Sequence, residues 1–552
     1  MNILGTWNWK EKTDDPDCSL RFNSLALILG HNVTILENES TTLIYEGTIF
    51  DRTPDELMKS QSALDAAYGT YSYVRINKSE REVILGTDRL GFSPLYYSLQ
   101  GKALCFSTSL SLAKYRIGCA TPDYEAWEEI LNIGDVIGDK TTIREIRRLD
   151  PGTRVHLKDE TTSFRTYWNF EIPEQAEAGD YIRRNNELLA EALALTRHSP
   201  GPKIVLLSGG EDSRRIAVSA KAISLPITFA TQDSLTTAGV DKNSIIAERV
   251  SKYLEIALHR QKLPDREIGY NDELIRDYWL GFETNQHDWI LPLLRNLPRG
   301  ALLYDGIAGD ITINASIFRP KRYPALLDFC QDKDLDQMTR IIFGMHRAFP
   351  IDGTKTASSL FERMREQLRI YPACPRRATY FWLMNHTRRN IGLQAQLYNL
   401  MGLKTCFPFL YYPLLMQSIS LDPKSQVKLL YQRACMERLN PGIVAIPSTR
   451  STLGKEFLID FSDHNKRREL LAAKMVALRP EIKRLFPALR LRLGAFEAAS
   501  ILRIRPITSR LSWMAGPLSR MSTYLDWLDD ADMPGIPIDA EDPPFLKKRF
   551  LS

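Results

Sequence analysis

One stretch decides the fold of this chain: Lys203-Ile204-Val205-Leu206-Leu207-Ser208-Gly209-Gly210-Glu211-Asp212-Ser213-Arg214. Its apolar first half has the length of one buried strand, its small residues predict a turn, and the amphipathic residues from 216 to 222 predict a helix. Exposed N–H groups at the start of a helix attract anions, and glycine lets the backbone approach a ligand closely. The sequence therefore predicts a phosphate-binding loop between a strand and a helix.

The predicted phosphate-binding groups of this loop are the backbone at Gly209 and Gly210 and the hydroxyl groups of Ser208 and Ser213. Asp212 is an anion, so a cation has to lie between it and a phosphate. Mg²⁺ held by one or two carboxylates plus substrate phosphates is the usual arrangement. The loop lacks the Gly-Lys-Ser/Thr ending of a Walker A loop and the glycine spacing of a dinucleotide fingerprint. An ordinary glycine-rich turn is the alternative interpretation.

A second apolar run leads into small residues and an aspartate: Ala301-Leu302-Leu303-Tyr304-Asp305-Gly306-Ile307-Ala308-Gly309-Asp310. Between the two loops, residues 225–231 predict another strand. A helix is predicted by the four-residue spacing of Ile246, Val250, Leu254 and Leu258. Alternating strands and helices favour a doubly wound parallel sheet, whose ligands bind at the carboxyl ends of the strands. For Asp310 the alternative is a solvent-exposed loop carboxylate.

The composition is that of a folded protein, with 44% hydrophobic and 25% charged residues in a chain of 552. Short β-rich runs before residue 165 predict a sheet-rich first domain. The formal net charge of +5 is small for this length, so nucleic-acid binding is not predicted. The seven cysteines show no Cys-x-x-Cys spacing, and no signal peptide or membrane-length apolar run is present. We therefore expect reduced thiols and a cytoplasmic protein.

The stretch from Ser208 to Ser213 resembles the Ser-Gly-Gly-x-Asp-Ser pyrophosphate loop of the asparagine synthetase family. Residues 86–109 and 146–153 are similar to its N-terminal glutaminase domain, and residues 306–310 to its Gly-x-Gly-x-Asp segment. The resemblance implies an α/β chain. It consists of an Ntn-hydrolase-like β-rich sandwich at 1–170, an ATP-pyrophosphatase domain with a doubly wound parallel sheet at 171–455, and a basic helical extension at 456–552.

The same resemblance implies the site. Asp212 and Asp310 would bind Mg²⁺. The ATP contacts would be Leu206, Ser208, Gly209, Gly210, Asp212, Ser213 and Gly306. Either Arg450 or Lys455 would act on the phosphates, and a solvated loop cation is the alternative for each. Two further basic residues, Arg214 and Arg215, are expected near the phosphate side.

The chain departs from the family's patterns in two places, once from its glutamine-dependent enzymes and once from its β-lactam synthetases. Met1-Asn2 offers no thiol nucleophile, and Cys18 cannot supply a free α-amine. Ile307 stands where β-lactam synthetases carry a catalytic tyrosine, and His386 is a weak candidate for a substitute base. The chain is thus similar to the branch of the family that has lost the glutaminase, which includes β-lactam synthetases and lasso-peptide cyclases. Because isoleucine cannot transfer protons, Ile307 argues against β-lactam formation.

The prediction is an ATP-dependent amide-forming ligase that adenylates a substrate carboxylate and lets an amine displace AMP. Because no ammonia is released within the chain, a lasso-type ring closure is favoured. Its substrate is a peptide or small molecule carrying both groups, with a partner protease or leader-binding protein. The alternatives are amidation of a sugar acid with external ammonia, a catalytically silent nucleotide-binding scaffold, and an enzyme acting on RNA. The β-rich first domain argues against the RNA enzymes. The basic tail is expected to present a solvated helical face.

Overall fold

The structure is a computed structural model and describes these residues: 3–8, 19–30, 32–173, 178–233, 242–262, 276–284, 290–319, 324–345, 356–429, 431–449, 475–479, 482, 520–521, 524–525 and 527–528. Within these ranges the chain forms two antiparallel sheets, followed by one parallel sheet. None of the described helices combines the length and the apolar character that crossing a bilayer requires.

The two antiparallel sheets face each other. Their strands are β1 (Ile3–Trp7), β2 (Leu20–Phe22), β3 (Leu25–Leu29), β4 (Val33–Glu37), β5 (Thr41–Ile49), β6 (Gly69–Asn77), β7 (Glu82–Thr87), β8 (Tyr96–Gln100), β9 (Ala103–Ser107), β10 (Arg147–Arg148), β11 (Thr153–Lys158) and β12 (Thr161–Thr166). The first sheet has the order β10-β8-β9-β1-β3-β2, and the second has the order β12-β11-β7-β6-β5-β4. Apolar residues of both, among them Trp7, Val74 and Phe106, form the core between them.

Helices cover the outer faces of this sandwich. They are α1 (Pro54–Lys59), α2 (Gln61–Asp65), α3 (Leu110–Ile117) and α4 (Tyr124–Ile133). Leu57 and Leu64 pack on the second sheet, and Leu110 and Trp127 join the core on the first. The result is a four-layered helix–sheet–sheet–helix unit, in agreement with the sheet-rich domain predicted for this part of the chain.

The third sheet is parallel throughout. Its strands are β13 (Lys203–Leu206), β14 (Thr228–Gln232), β15 (Leu258–Gln261), β16 (Leu302–Tyr304) and β17 (Lys404–Cys406). Their order, β15-β14-β13-β16-β17, is that of a doubly wound fold, because the chain leaves β13 toward one side and later returns to its other side. The predicted doubly wound parallel sheet is confirmed.

Helices also surround the third sheet. In chain order they are α5 (Ala178–Ala194), α6 (Asp212–Ala222), α7 (Lys242–Leu254), α8 (Leu291–Arg295), α9 (Gly309–Thr312), α10 (Leu335–Met345), α11 (Thr356–Arg369), α12 (Arg377–Trp382), a π-helix (Leu383–Ile391), α13 (Gln394–Leu400), α14 (Tyr412–Ile419), α15 (Pro423–Leu429) and α16 (Tyr431–Leu439). Short 3₁₀ turns occur at Ser316–Phe318, Pro324–Leu327, Asp332–Asp334, Pro408–Leu410 and Pro441–Ala445.

One predicted boundary is wrong. Helix α7 ends at Leu254 because Glu255 takes the left-handed conformation (φ 55°), and Leu258 then opens β15 instead of continuing the helix.

Ion pairs join the sandwich to the helices around the third sheet. Arg363 on α11 contacts both Glu128 (2.9 Å) and Glu129 (2.8 Å) on α4. Lys140 also lies 2.8 Å from Glu129, whose side chain is fully buried. Tyr68 Oη and Cys406 Sγ are 3.3 Å apart in the same junction. A buried carboxylate is tolerated only when it is paired, so these contacts tie the two units together.

The C-terminal residues that the structure describes dock on the sandwich. Tyr524 and Trp527 are fully buried, and the Tyr524 ring lies 4.9 Å from that of Trp127. Lys114 donates to the backbone oxygen of Trp527 (2.6 Å), and Arg520 forms a bidentate pair with Asp277. In this part of the tail, aromatic burial replaces the solvated face expected from its basic composition.

We predict that Trp527→Ala destabilises the protein by about 3–5 kcal/mol, because it leaves a cavity where a buried indole packed. Urea unfolding followed by circular dichroism measures the change. Leu478→Ala is the matched control, since Leu478 lies in the same tail and is 47% exposed. If the two variants are equally stable, the docking of the tail is wrong.

Candidate functional site

The site lies where the order of the third sheet reverses. Strand β13 is central, and β16 is its neighbour on one side. In a parallel sheet both strands end at the same edge, so the loops at 207–211 and 305–308 emerge side by side. A crevice between such loops is where doubly wound folds bind ligands.

Side-chain oxygens organise the predicted phosphate loop from within. Ser213 Oγ accepts from the Ser208 N–H (3.0 Å), and Ser208 Oγ accepts from the Gly210 N–H (3.2 Å). The Gly209 N–H donates to Asn243 Oδ1 at the start of α7 (2.7 Å). A phosphate oxygen that takes the Gly209 or Gly210 N–H group would have to replace these side-chain oxygens. Sequence reasoning missed Asn243, which has no local motif.

The chain approaches this loop again at residues 448–449. The Thr449 N–H donates to the Gly209 oxygen (3.0 Å). A Cβ at Gly209 would lie 2.6 Å from Thr449 Cγ2, so any larger residue there would have to displace the Thr449 side chain. The two predicted phosphate cations, Arg450 and Lys455, lie outside the described residues, and their roles stay predictions.

The two acidic loops are in contact. A Cβ at Gly306 would lie 3.1 Å from Asp212 Cβ, and a Cβ at Gly309 would lie 3.0 Å from Asp212 Cγ. Between these glycines, Ala308 takes the left-handed conformation (φ 74°), which is costly for a residue with a Cβ. Strain of this kind persists where the surrounding structure fixes the backbone. Here the left-handed turn at Ala308 leaves the loop after β16 directly against the Asp212 side chain.

The carboxylates present suit Mg²⁺ in kind. Asp212 begins α6, and Asp310 follows Gly309 in α9, where its Oδ2 accepts from Ser316 (3.0 Å). Among the described residues, no three His, Cys, Asp or Glu side chains cluster closely enough to hold a metal. Mg²⁺ needs only one or two carboxylates when substrate phosphates and water complete its shell. Asp212 and Asp310 therefore fit a metal that arrives with ATP.

A third carboxylate at this edge went unrecognised in the sequence. Asp305 is the first residue after β16, and Tyr398 donates to its Oδ2 (2.8 Å). Burial raises the pKa of the Asp305 carboxyl above its ordinary value, while hydrogen bonds from Tyr398 and from the Gly306 and Ile307 N–H groups partly offset this. Its position at the end of a buried strand was the available signal.

The arginines of α6 have a different position from the one predicted. Arg214 donates to the backbone oxygens of Ile446 (2.7 Å) and Pro447 (2.9 Å), and Arg215 is fully buried. Arg215 donates to the side chain of Gln432 (2.8 Å). The structure thus commits both guanidinium groups to protein oxygens and not to the phosphate side.

The other residues singled out in the sequence are Ile307, His386 and three residues near the N-terminus. Ile307 is 7% exposed and supplies no proton-transfer group. His386 Nδ1 lies 2.9 Å from Asp135 Oδ2 of the sandwich unit, which places this histidine at the junction of the two units. Met1, Asn2 and Cys18, on which the loss of the glutaminase depends, lie outside the described residues.

Comparison with known proteins agrees with the family resemblance. Residues 57–168 match a family model described as a glutamine amidotransferase domain. An alignment of 233 positions is 25% identical to asparagine synthetase [glutamine-hydrolyzing] 2 of Bacillus subtilis (strain 168), and it covers 39% of this chain and 30% of that relative. The match thus spans less than a third of the relative's length. Both matches support a relationship to the asparagine synthetase family, and neither bears on the glutaminase-dead branch.

Two solved structures also match, each at 12% sequence identity. One is the glutamine phosphoribosylpyrophosphate amidotransferase of B. subtilis in complex with ADP and GMP, with 43% of this chain and 67% of that chain covered and a TM-score of 0.19. The other is an allosteric regulatory enzyme of purine biosynthesis, with coverages of 47% and 74% and a TM-score of 0.20. Scores this low carry no functional conclusion.

We predict that Gly309→Ala destabilises the protein by about 1–3 kcal/mol, because the new methyl group would overlap Asp212 and the Phe409 ring (2.9 Å). Gly210→Ala is the control, since its Cβ would meet only the rotatable Ser208 Oγ, at 3.1 Å. Thermal unfolding of both variants measures the difference. Equal melting temperatures would contradict the close packing of the two loops.

Proposed function

We propose that this protein is an ATP-dependent ligase that forms an amide bond and releases AMP and pyrophosphate. The observation that carries the proposal is the contact between Asp212 and the loop of residues 306–310 at the switch point of the parallel sheet. The adjoining loop of serine and glycine supports it further. The kinship with asparagine synthetases is consistent with this reaction class.

The reaction would have two steps. A substrate carboxylate oxygen attacks the α-phosphorus of ATP, and the bond to pyrophosphate breaks. An amine nitrogen then attacks the acyl carbon, AMP leaves with the former carboxylate oxygen, and the nitrogen loses a proton. The amide product is lighter than the separate acid and amine by one water.

The described residues would divide this work. Ser208, Gly209, Gly210 and Ser213 would bind the phosphates, with Leu206 and Gly306 beside the nucleotide. Asp212 and Asp310 would hold Mg²⁺, which, when bound, neutralises charge that develops on the phosphates. Alignment of the carboxylate with the α-phosphorus supplies the rest of the rate enhancement.

We further propose that the amine belongs to the substrate and that the product is a macrocyclic amide of the lasso-peptide kind. Ile307 offers no base, and an unhindered peptide N-terminus with a pKa of about 8 needs little base help against an acyl-adenylate. A protease or leader-binding protein would deliver the peptide. The cytoplasm is the proposed compartment, since the six described cysteines are all free thiols.

The test combines Mg-ATP with precursor peptides and a partner protease, and follows pyrophosphate release and the loss of one water by mass. Parallel reactions contain a sugar acid with ammonia or with glutamine. Amidation of the sugar acid alone would replace the cyclase by the sugar-amidation alternative. If ADP and phosphate are the products, the adenylate chemistry is wrong. ATP binding without pyrophosphate release in any of these reactions would favour the silent nucleotide-binding scaffold.

We predict that Asp212→Asn lowers pyrophosphate release by about 100-fold or more, because charge stabilisation by a bound metal is worth several kcal/mol. Its circular dichroism spectrum should be unchanged. Asp328→Asn is the control, since this exposed carboxylate pairs only loosely with Lys424 (3.4 Å) and should be silent. A fully active Asp212→Asn variant would remove Asp212 from the metal site.

A further inference from the structure

A buried glutamine connects the two acidic loops. Gln432 on α16 is fully buried, and its Nε2 donates to Asp212 Oδ1 (2.6 Å). Its own backbone N–H donates to Asn314 Oδ1 (3.3 Å), on the segment that follows Asp310. One residue therefore contacts Asp212 and the neighbourhood of Asp310, although α16 is remote from both in sequence.

The orientation of this amide is fixed by its other neighbour. Arg215 Nη1 lies 2.8 Å from Gln432 Oε1, and a guanidinium can only donate. The oxygen of the amide must therefore face Arg215, and its NH₂ group must face Asp212. The ambiguity between the nitrogen and oxygen positions of a glutamine does not arise here.

Arg215 is itself held in place. Its Nη2 donates to Asn185 Oδ1 (2.5 Å) and to Asn186 Oδ1 (3.2 Å), both on α5. The chain of contacts thus runs from α5 through Arg215 and Gln432 to the Asp212 carboxylate. Asn185, Asn186, Arg215 and Gln432 are buried, so water does not compete strongly with the bonds among them, and Asp212 is half-buried at the end of the chain.

We propose that Gln432 is a positioning residue, which sets the orientation of the Asp212 carboxylate for Mg²⁺ bound with ATP. The bond to Oδ1 fixes the rotation of the carboxylate about its last torsion. The glutamine amide does so without adding charge, so the negative charge of Asp212 stays available to a cation. This inference rests on the proposed function, because it concerns the same metal and nucleotide.

The test is the Mg²⁺ dependence of ATP binding, measured by calorimetry at a series of free Mg²⁺ concentrations. In Gln432→Leu we expect the Mg²⁺ concentration for half-maximal ATP binding to rise by about 10- to 100-fold, the usual effect of removing a partner of a metal ligand. Gln432→Glu should raise it as well, since its carboxylate would face Asp212. This second variant keeps the bond to Arg215 and covers the case in which the leucine variant does not fold.

The control is Asn186→Ala, which removes a contact to Arg215 without touching Asp212. A structural role alone would make all three variants less stable with the same Mg²⁺ dependence as the parent. Folded Gln432 variants with a half-maximal Mg²⁺ concentration within about twofold of the parent would overturn the inference while leaving the proposed function intact. A parent protein that binds no ATP at any Mg²⁺ concentration would overturn both.

Discussion

The close approach of two loop backbones at one edge of the parallel sheet is the constraint on which the candidate site depends. β13 and β16 pair in parallel, so the segments after them must leave the sheet at the same edge. Glycines at 306 and 309 then let the second loop reach the Asp212 side chain. No other residue fits there without displacing Asp212. The position of the Asp212 carboxylate thus depends on the topology of the sheet and on the two glycines at residues 306 and 309.

Buried polar contacts on the side away from the crevice stabilise the two loops in this arrangement. The first turn of α6 follows the phosphate loop directly, and its two arginines reach away from the crevice toward α5, α16 and the segment at 443–447. Removing a buried arginine from water is costly unless its donors are satisfied. The elements that satisfy them are therefore kept close to the loop. The positive charges of Arg214 and Arg215 therefore stabilise the fold around the site. For this reason an arginine next to a phosphate loop in the sequence is a poor predictor of a phosphate contact.

The sequence predicts the parts of this structure that local patterns determine. The strands before both acidic loops, the parallel sheet and the β-rich first unit follow from apolar runs, turn residues and their alternation. The end of α7 does not, because the left-handed Glu255 interrupts a helical spacing that continues to Leu258. Gln432 and Asn243 contact the site only through the tertiary fold, so no spacing marks them. In the tail, the abundance of basic residues predicts a solvated face, so the sequence does not indicate that Trp527 is buried.

The sandwich unit contributes to the fold of the unit built on the third sheet, whether or not the sandwich has chemistry of its own. Glu129 is fully buried, and its two cations come from different units, Lys140 from the sandwich and Arg363 from α11. Loss of one partner from a buried ion pair costs about 3–5 kcal/mol, since a charge is left without compensation. Separating the units would also expose the apolar core that both share. The sandwich thus has a structural role, and its presence alone says nothing about glutamine hydrolysis.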